Sequence, residues 1–269
     1  MTYDLRLTTP VIMGILNVTP DSFSDGGRYV EVEKAVEKAE KMWREGASII
    51  DLGAMTSRPN AKIISPEEEL ERLLPALNAI VKSIPNAAIS IDTLHSKTAD
   101  IALENGAKII NDISGGDFDK EMLTVVAKHR ATFIAMHMRG TPETMQSLTD
   151  YEDVVREVFQ DLRAKIERAK NAGIESIIAD VGFGFAKTTE QNFELLKHFS
   201  EFKKLGVPVL AGVSRKSMIT KTLNIKTTEA LNGTTILNTI ALLNGASILR
   251  VHDVKEAVEC VTLTRNLIL

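Results

Sequence analysis

Short apolar runs rich in β-branched residues recur eight times along the chain, over 11–17, 48–53, 88–93, 108–114, 132–138, 176–181, 209–214 and 247–253, and a helix-like stretch follows each. Runs that are apolar almost throughout, rather than alternating, belong to strands covered on both faces, which is the condition of a parallel sheet. Amphipathic periodicity predicts helices over 31–45, 66–84, 96–105, 151–171 and 188–205, among others. Gly46, Gly106, Gly173, Gly206 and Gly245 sit where helices should stop, and Pro75 is expected to kink or split the second helix. Eight strand–helix units in 269 residues predict an α/β fold closed as a (β/α)8 TIM barrel, with an open doubly wound sheet as the alternative. No Gly/Ser linker, low-complexity tract or break in composition divides the sequence, so 1–269 is read as a single domain.

Composition narrows the function classes. A net charge of −4 argues against a general nucleic-acid binder, so any anion site must be local. One cysteine, Cys260, excludes an intrachain disulfide framework and a Cys-based metal site, and fits a reducing compartment. The opening MTYDLRLTTP lacks a basic segment followed by an apolar core, and no apolar run approaches the ~18 residues of a membrane span. The expectation is a cytoplasmic protein that does not engage membranes.

Every run finishes in something polar: Asn17, Asp51, Asp92, Asn111 with Asp112, His137, Asp180, Ser214-Arg215-Lys216, and Arg250 with His252. In a barrel these ends converge on one mouth, where the chemistry sits. Arg58, Arg215, Lys216, Arg250 and His252 suit an anionic substrate such as a phosphate. Asp92, Asp180 and Asn111 suit a flat heterocycle with N–H donors, or alternatively an acid–base pair. No His/Cys/Asp cluster has metal-ligand spacing, but an Mg²⁺ shared with a phosphate needs few protein oxygens, and Asn17 offers one. The Gly- and Ser-rich loop 21–27 reads as a surface loop anchored by Phe23 or as a lid. Gly182-Phe183-Gly184-Phe185 reads as a plain turn or as an aromatic wall. His137 fits a satisfied rim histidine better than a catalyst. His95, His129 and His198 are expected at the surface, and Trp43 in helix packing.

The stretch 13–27, MGILNVTPDSFSDGG, resembles the N-terminal signature of dihydropteroate synthases. Ser57-Arg58-Pro59, Ser90-Ile91-Asp92-Thr93, Asn111-Asp112-Ile113-Ser114-Gly115-Gly116, the stretch 180–185, Ser214-Arg215-Lys216 and Arg250-Val251-His252-Asp253 follow in the family's order. The resemblance implies a TIM barrel that joins 6-hydroxymethyl-7,8-dihydropterin diphosphate to 4-aminobenzoate and releases diphosphate, with Mg²⁺, by a dissociative route. It implies Asp92, Asn111, Asp180, Lys216 and Arg250 around the pterin. Asn17, Ser57, Arg58, Arg250 and His252 would handle diphosphate, with Asn17 on the metal. Phe23, Ser57, Pro59, Phe185, Ser214 and Lys216 would border aminobenzoate. Asp25, Asp92, Asp180 and Lys216 are the candidate catalytic residues. A homodimer is implied, through late helices such as 228–244. The rival readings are a pterin-binding methyltransferase acting on a methyl-folate, which would not need the SRK and RVHD motifs, and a non-catalytic paralogue, which should have lost site residues.

One loop departs from the family pattern. Where Gly-Gly-Glu-Ser-Thr-Arg-Pro-Gly is usual, the chain reads Gly53-Ala54-Met55-Thr56-Ser57-Arg58-Pro59-Asn60. Val181 replaces a Pro and Ala186 a common Gly. The pterin and diphosphate sets are intact, so the chemistry is expected to survive while aminobenzoate affinity and discrimination against sulfonamides shift.

Overall fold

The computed structural model describes residues 9–19, 28–55 and 62–268. Strands β1 (Val11–Asn17), β2 (Ile49–Gly53), β3 (Ala88–Asp92), β4 (Ile109–Asp112), β5 (Thr132–Met136), β6 (Ile177–Asp180), β7 (Val209–Ala211) and β8 (Ile248–Val251) pair in parallel in chain order. β8 returns to β1, with Met13 level with Arg250, and the barrel closes. Around it run α1 (Arg28–Arg44), α2 (Pro66–Ser83), α3 (Ser96–Glu104), α4 (Met122–Lys128), α5 (Val154–Asn171), α6 (Thr189–Lys197), α7 (Ser217–Leu223), α8 (Leu231–Leu243) and α9 (Val254–Ile268). The TIM barrel is the predicted one, and the doubly wound alternative falls with the closure.

Side-chain alternation divides the apolar runs between two cores. Met13, Ile49, Ala88, Ile109, Ile134, Ile178, Leu210 and Ile248 point inward and fill the barrel with one layer. Their neighbours Ile12, Ile50, Ile89, Ile110, Phe133, Ile177, Val209 and Leu249 point outward into the core shared with the helices. That double burial is why the runs carry no polar alternation.

Pro75 does not split α2, which runs unbroken over Pro66–Ser83 with Leu70, Leu73, Leu77 and Ile80 buried. Burying four aliphatic side chains at about 1.5–3 kcal/mol each outweighs the ~3 kcal/mol of an interior proline. Ser65 caps the helix, its Oγ accepting from Glu68 N at 3.2 Å. The helix expected over 188–205 does break: α6 ends at Lys197 and a 3₁₀ turn, Phe199–Leu205, takes over. Its buried residues Phe199, Phe202 and Leu205 recur every third position, the period of a 3₁₀ rather than an α-helix. The five predicted helix-ending glycines all take positive φ, between 71° and 105°. Among the described residues no helix is long and apolar enough to cross a membrane, and Cys260 is a buried free thiol.

Candidate active site

Two residues beyond the apolar layer, the inward positions become Ile15, Asp51, Ser90, Asn111, Met136, Asp180, Gly212 and Arg250. The barrel interior therefore turns from apolar to charged within one pleat repeat, roughly 7 Å of strand. Arg250 is the hub of this layer. Its Nε donates to Asp51 Oδ2 at 2.7 Å, and a terminal nitrogen donates to Asp92 Oδ2 at 2.7 Å. Asn111 Nδ2 donates to the same Asp51 oxygen at 3.1 Å. Asp51 was only one of the strand-end polar residues in the sequence; the structure makes it the anchor of two predicted site residues. Strand parity (Ile49, Asp51, Gly53) is the signal that places it inside.

Burial pushes the Asp92 carboxyl up to about 7; Arg250 opposes that rise, and Asp51, Glu69 and Asp112 add to it. Burial works against the Arg250 charge as well, but Asp51 and Asp92 outweigh it and the guanidinium stays charged. Asp180 is raised by burial, against the Gly182 N–H, 2.8 Å from its Oδ1, and the cations Lys216, Arg250 and Lys187. Burial lowers Lys216 to about 8, with Asp180 pulling the other way. The Lys216 ammonium donates to the Phe183 carbonyl and lies 4.4 Å from the centre of the Phe185 ring. Asp51 Oδ1, Ser90 Oγ and Asn111 Oδ1 are buried with no protein partner. Buried polar atoms nearly always find partners, so three such atoms set this layer apart from the apolar layer beneath it.

At the rim, Asn17 ends β1 half-buried, and it and Asp92 flank Gly53. Ser214 Oγ lies 3.0 Å from His252 Nδ1 and also accepts from His252 N at 3.2 Å. Partial desolvation, then the Arg215 and Arg250 charges, lower the His252 imidazole to about 4, so it is neutral at pH 7. Phe185 is buried with Met136, Met138 and Leu94 in an apolar rim cluster, and Met55 packs against it.

Some expectations change. Asp112 turns away from the mouth and binds its own loop, accepting from Ser114 N at 2.7 Å and Gly116 N at 2.8 Å. Arg215 takes a left-handed φ of 56° and pairs with Asp253, its Nε 3.0 Å from Oδ2, so its guanidinium is held by a neighbouring carboxylate rather than left free for a ligand. His95 is half-buried, its Nε2 2.8 Å from the Ile64 carbonyl, and His129 is half-buried against Asp100 at 2.5 Å. His137 is the satisfied rim histidine, its Nδ1 2.9 Å from Lys187 Nζ. Phe23, Asp25, Ser57, Arg58 and Pro59 lie outside the described residues. Among the described residues the one metal-capable cluster, Asp100, Glu104 and His129, sits on the helical shell, where Asp100 already pairs with Lys128 at 2.9 Å and with His129.

A family profile described as pterin-binding enzyme matches residues 13–252. A dihydropteroate synthase from Synechocystis is 47% identical over 247 residues, covering 91% of this chain and 85% of the relative. The chain belongs to the dihydropteroate synthase family. The Escherichia coli synthase is 43% identical over 95% of this chain and 90% of its own length. Among solved structures of the family, the Yersinia pestis synthase with a sulfonamide drug superposes at a TM-score of 0.91, with 38% identity and 98% and 96% coverage of the two chains. The Xanthomonas albilineans synthase, solved with 4-aminobenzoate, also reaches 0.91 at 38% identity, covering 97% and 94%; the same synthase has been solved with 7,8-dihydropteroate.

Proposed function

We propose that this enzyme condenses 6-hydroxymethyl-7,8-dihydropterin diphosphate with 4-aminobenzoate in the cytoplasm, releasing diphosphate. The observation that carries the reading is the Asp51–Arg250–Asp92 unit: Asp51 and Arg250 share one polar layer with Asn111 and Asp180, and Asp92 stands two residues beyond Ser90 of that layer. Acceptors at Asp92, Asp180 and Asn111 hold the N–H edge of the pterin, with Arg250 against its face. The methylene carbon–oxygen bond to diphosphate breaks first. Cationic Arg250 and Lys216, with neutral His252 as a donor, stabilise the negative charge that leaves, while Asp92 and Asp180 face the delocalised pterin cation. The aromatic amine then forms the new carbon–nitrogen bond and gives up one proton, which a carboxylate poised near neutrality, such as Asp92, can accept. Phe185, Ser214 and Lys216 border the amine substrate, and Met55 extends its apolar wall.

The donor set at β1 fits a magnesium ion. Asn17 offers one neutral oxygen at the mouth, and Mg²⁺ keeps most of its shell as water and phosphate oxygen. Bound there, Mg²⁺ would neutralise charge on the diphosphate. The assembly we propose is a homodimer through α8. That helix has no charged residue and exposes Ile236, Ile240 and Leu243, with Leu263 and Leu267 of α9 beside it.

The test mixes purified protein, the pterin diphosphate, 4-aminobenzoate and Mg²⁺ and measures dihydropteroate and diphosphate. Equimolar release is expected. Folded protein that releases neither, or that moves a methyl group from methyl-folate instead, removes the proposal.

A further inference from the structure

Lys187 is 5% exposed and pairs with no carboxylate among the described residues. Its Nζ lies 2.9 Å from each of three groups: His137 Nδ1, the Gly182 carbonyl and the Phe185 carbonyl. Both carbonyls can only accept, so Lys187 donates to both, and a buried amine is tolerated only when its hydrogen bonds are filled in this way. The turn it holds is tight. A Cβ at Gly182 would sit 2.0 Å from the His137 carbonyl oxygen, and Ala186 takes a left-handed φ of 50°. The same turn carries the Phe183 carbonyl and the Phe185 ring, the two groups that receive the Lys216 ammonium. Lys187 thus binds two carbonyls of the turn whose other groups receive Lys216. Burial also lowers Lys187 well below the ordinary lysine range, and the two carbonyl bonds survive loss of a proton, since a neutral amine still donates twice.

We propose that Lys187 and His137 form a buried clamp that sets the Gly182–Phe185 turn and, through it, the position of Lys216 against the amine substrate. These are positioning residues; neither touches the reacting atoms. The inference rests on the assignment of Lys216 and Phe185 to the aminobenzoate side of the site.

Lys187→Met removes every donor. His137→Leu removes the third partner, whereas His137→Asn keeps a polar atom at the place of Nδ1. Leu162→Ala, a buried change in α5, sets the effect of lost stability alone. The aminobenzoate KM is expected to rise about tenfold in Lys187→Met and His137→Leu, the loss of roughly one charge-assisted hydrogen bond. The pterin diphosphate Kd should rise as well, since the Gly182 N–H of the same turn holds Asp180, and His137→Asn should restore both constants. Amide hydrogen exchange at residues 182–186 should quicken in the same two variants and not in Leu162→Ala. Equal KM values for His137→Leu and His137→Asn overturn the proposal, as does unchanged exchange in the turn. Should Lys187→Met fail to fold, the His137 pair decides. A wild-type enzyme that does not use aminobenzoate refutes the functional reading instead, and the exchange measurement still judges the clamp.

Discussion

Replacing Arg250 by Met leaves a side chain of similar length but takes away the cation that, among the described residues, bridges Asp51 and Asp92, whose side chains are 0% and 13% exposed. Removing one partner of a buried ion pair costs about 3–5 kcal/mol, because the remaining charge is stranded in a poorly solvated place. The structure adds a pH signature. In the wild type Asp92 titrates at about 7, raised by burial and restrained by Arg250; without the guanidinium its carboxyl must rise further. Below about pH 7 both proteins hold the Asp92 proton when folded, and the stability deficit is flat. Above it the wild type ionises and the variant does not, so the folded variant binds more protons. Its deficit should grow by about 1.4 kcal/mol per pH unit until Asp92 ionises there too. Urea denaturation followed by far-ultraviolet circular dichroism at roughly pH 6, 7.5 and 9 measures this directly. A deficit under about 1 kcal/mol, or one that does not change between neutral and alkaline pH, refutes the claim that Arg250 balances buried carboxylates. Activity should fall about 100-fold or more, since the same cation faces the leaving diphosphate.

Three further outcomes follow from other parts of the site and shell. The rate with aminobenzoate should decline as pH rises through about 8, where Lys216 loses its charge, and Lys216→Arg should abolish that alkaline limb because arginine does not deprotonate there; a pH–rate profile of both proteins checks this. Gly182→Ala should destabilise by about 2–4 kcal/mol in urea denaturation, since it combines a left-handed backbone with a clash against the His137 carbonyl. Ile236→Glu with Ile240→Glu on α8 should give a monomer by light scattering where the wild type has twice the chain mass, and monomeric wild-type protein would refute the dimer face.

The strand starts were legible because apolar, β-branched runs begin abruptly, and β1 is observed over the predicted 11–17. Strand ends overshoot. The run 108–114 yields only Ile109–Asp112, because Asp112 turns back to cap its own loop and Ile113 belongs to the rim cluster. Run 209–214 yields Val209–Ala211 for a similar reason: Ser214 and Lys216 are already in the loop that serves the mouth. The strand-end polar set was legible as a set, and Asp92, Asn111, Asp180, Lys216 and Arg250 do converge. What sequence could not supply was the partner of each charge. Arg215 lies between two residues of the mouth, yet its backbone angle aims it at Asp253. Glu69 stands in the run Pro66-Glu67-Glu68-Glu69, which reads as a solvated helix start. It is nevertheless fully buried, accepting from Thr93 Oγ1 at 2.7 Å just behind Asp92. Lys187 carries no local sign of burial either; its partners, His137 and the carbonyls of Gly182 and Phe185, come from the β5 end and the turn after β6.

The Arg250 hub joins residues 199 and 158 positions apart, reaching from the last strand back to the second and third. A chain emerging from the ribosome holds Asp51, Asp92, Asn111, Asp180 and Lys216 long before β8 is made, yet Asp51 and Asp92 gain their ion-pair partner only when the eighth strand docks on the first. Ligand recognition is in that sense a test of chain completion. Products of premature termination before β8 should be inert rather than competing for scarce substrate, and a bound ligand should stabilise the two ends of the sequence against each other as much as any local element.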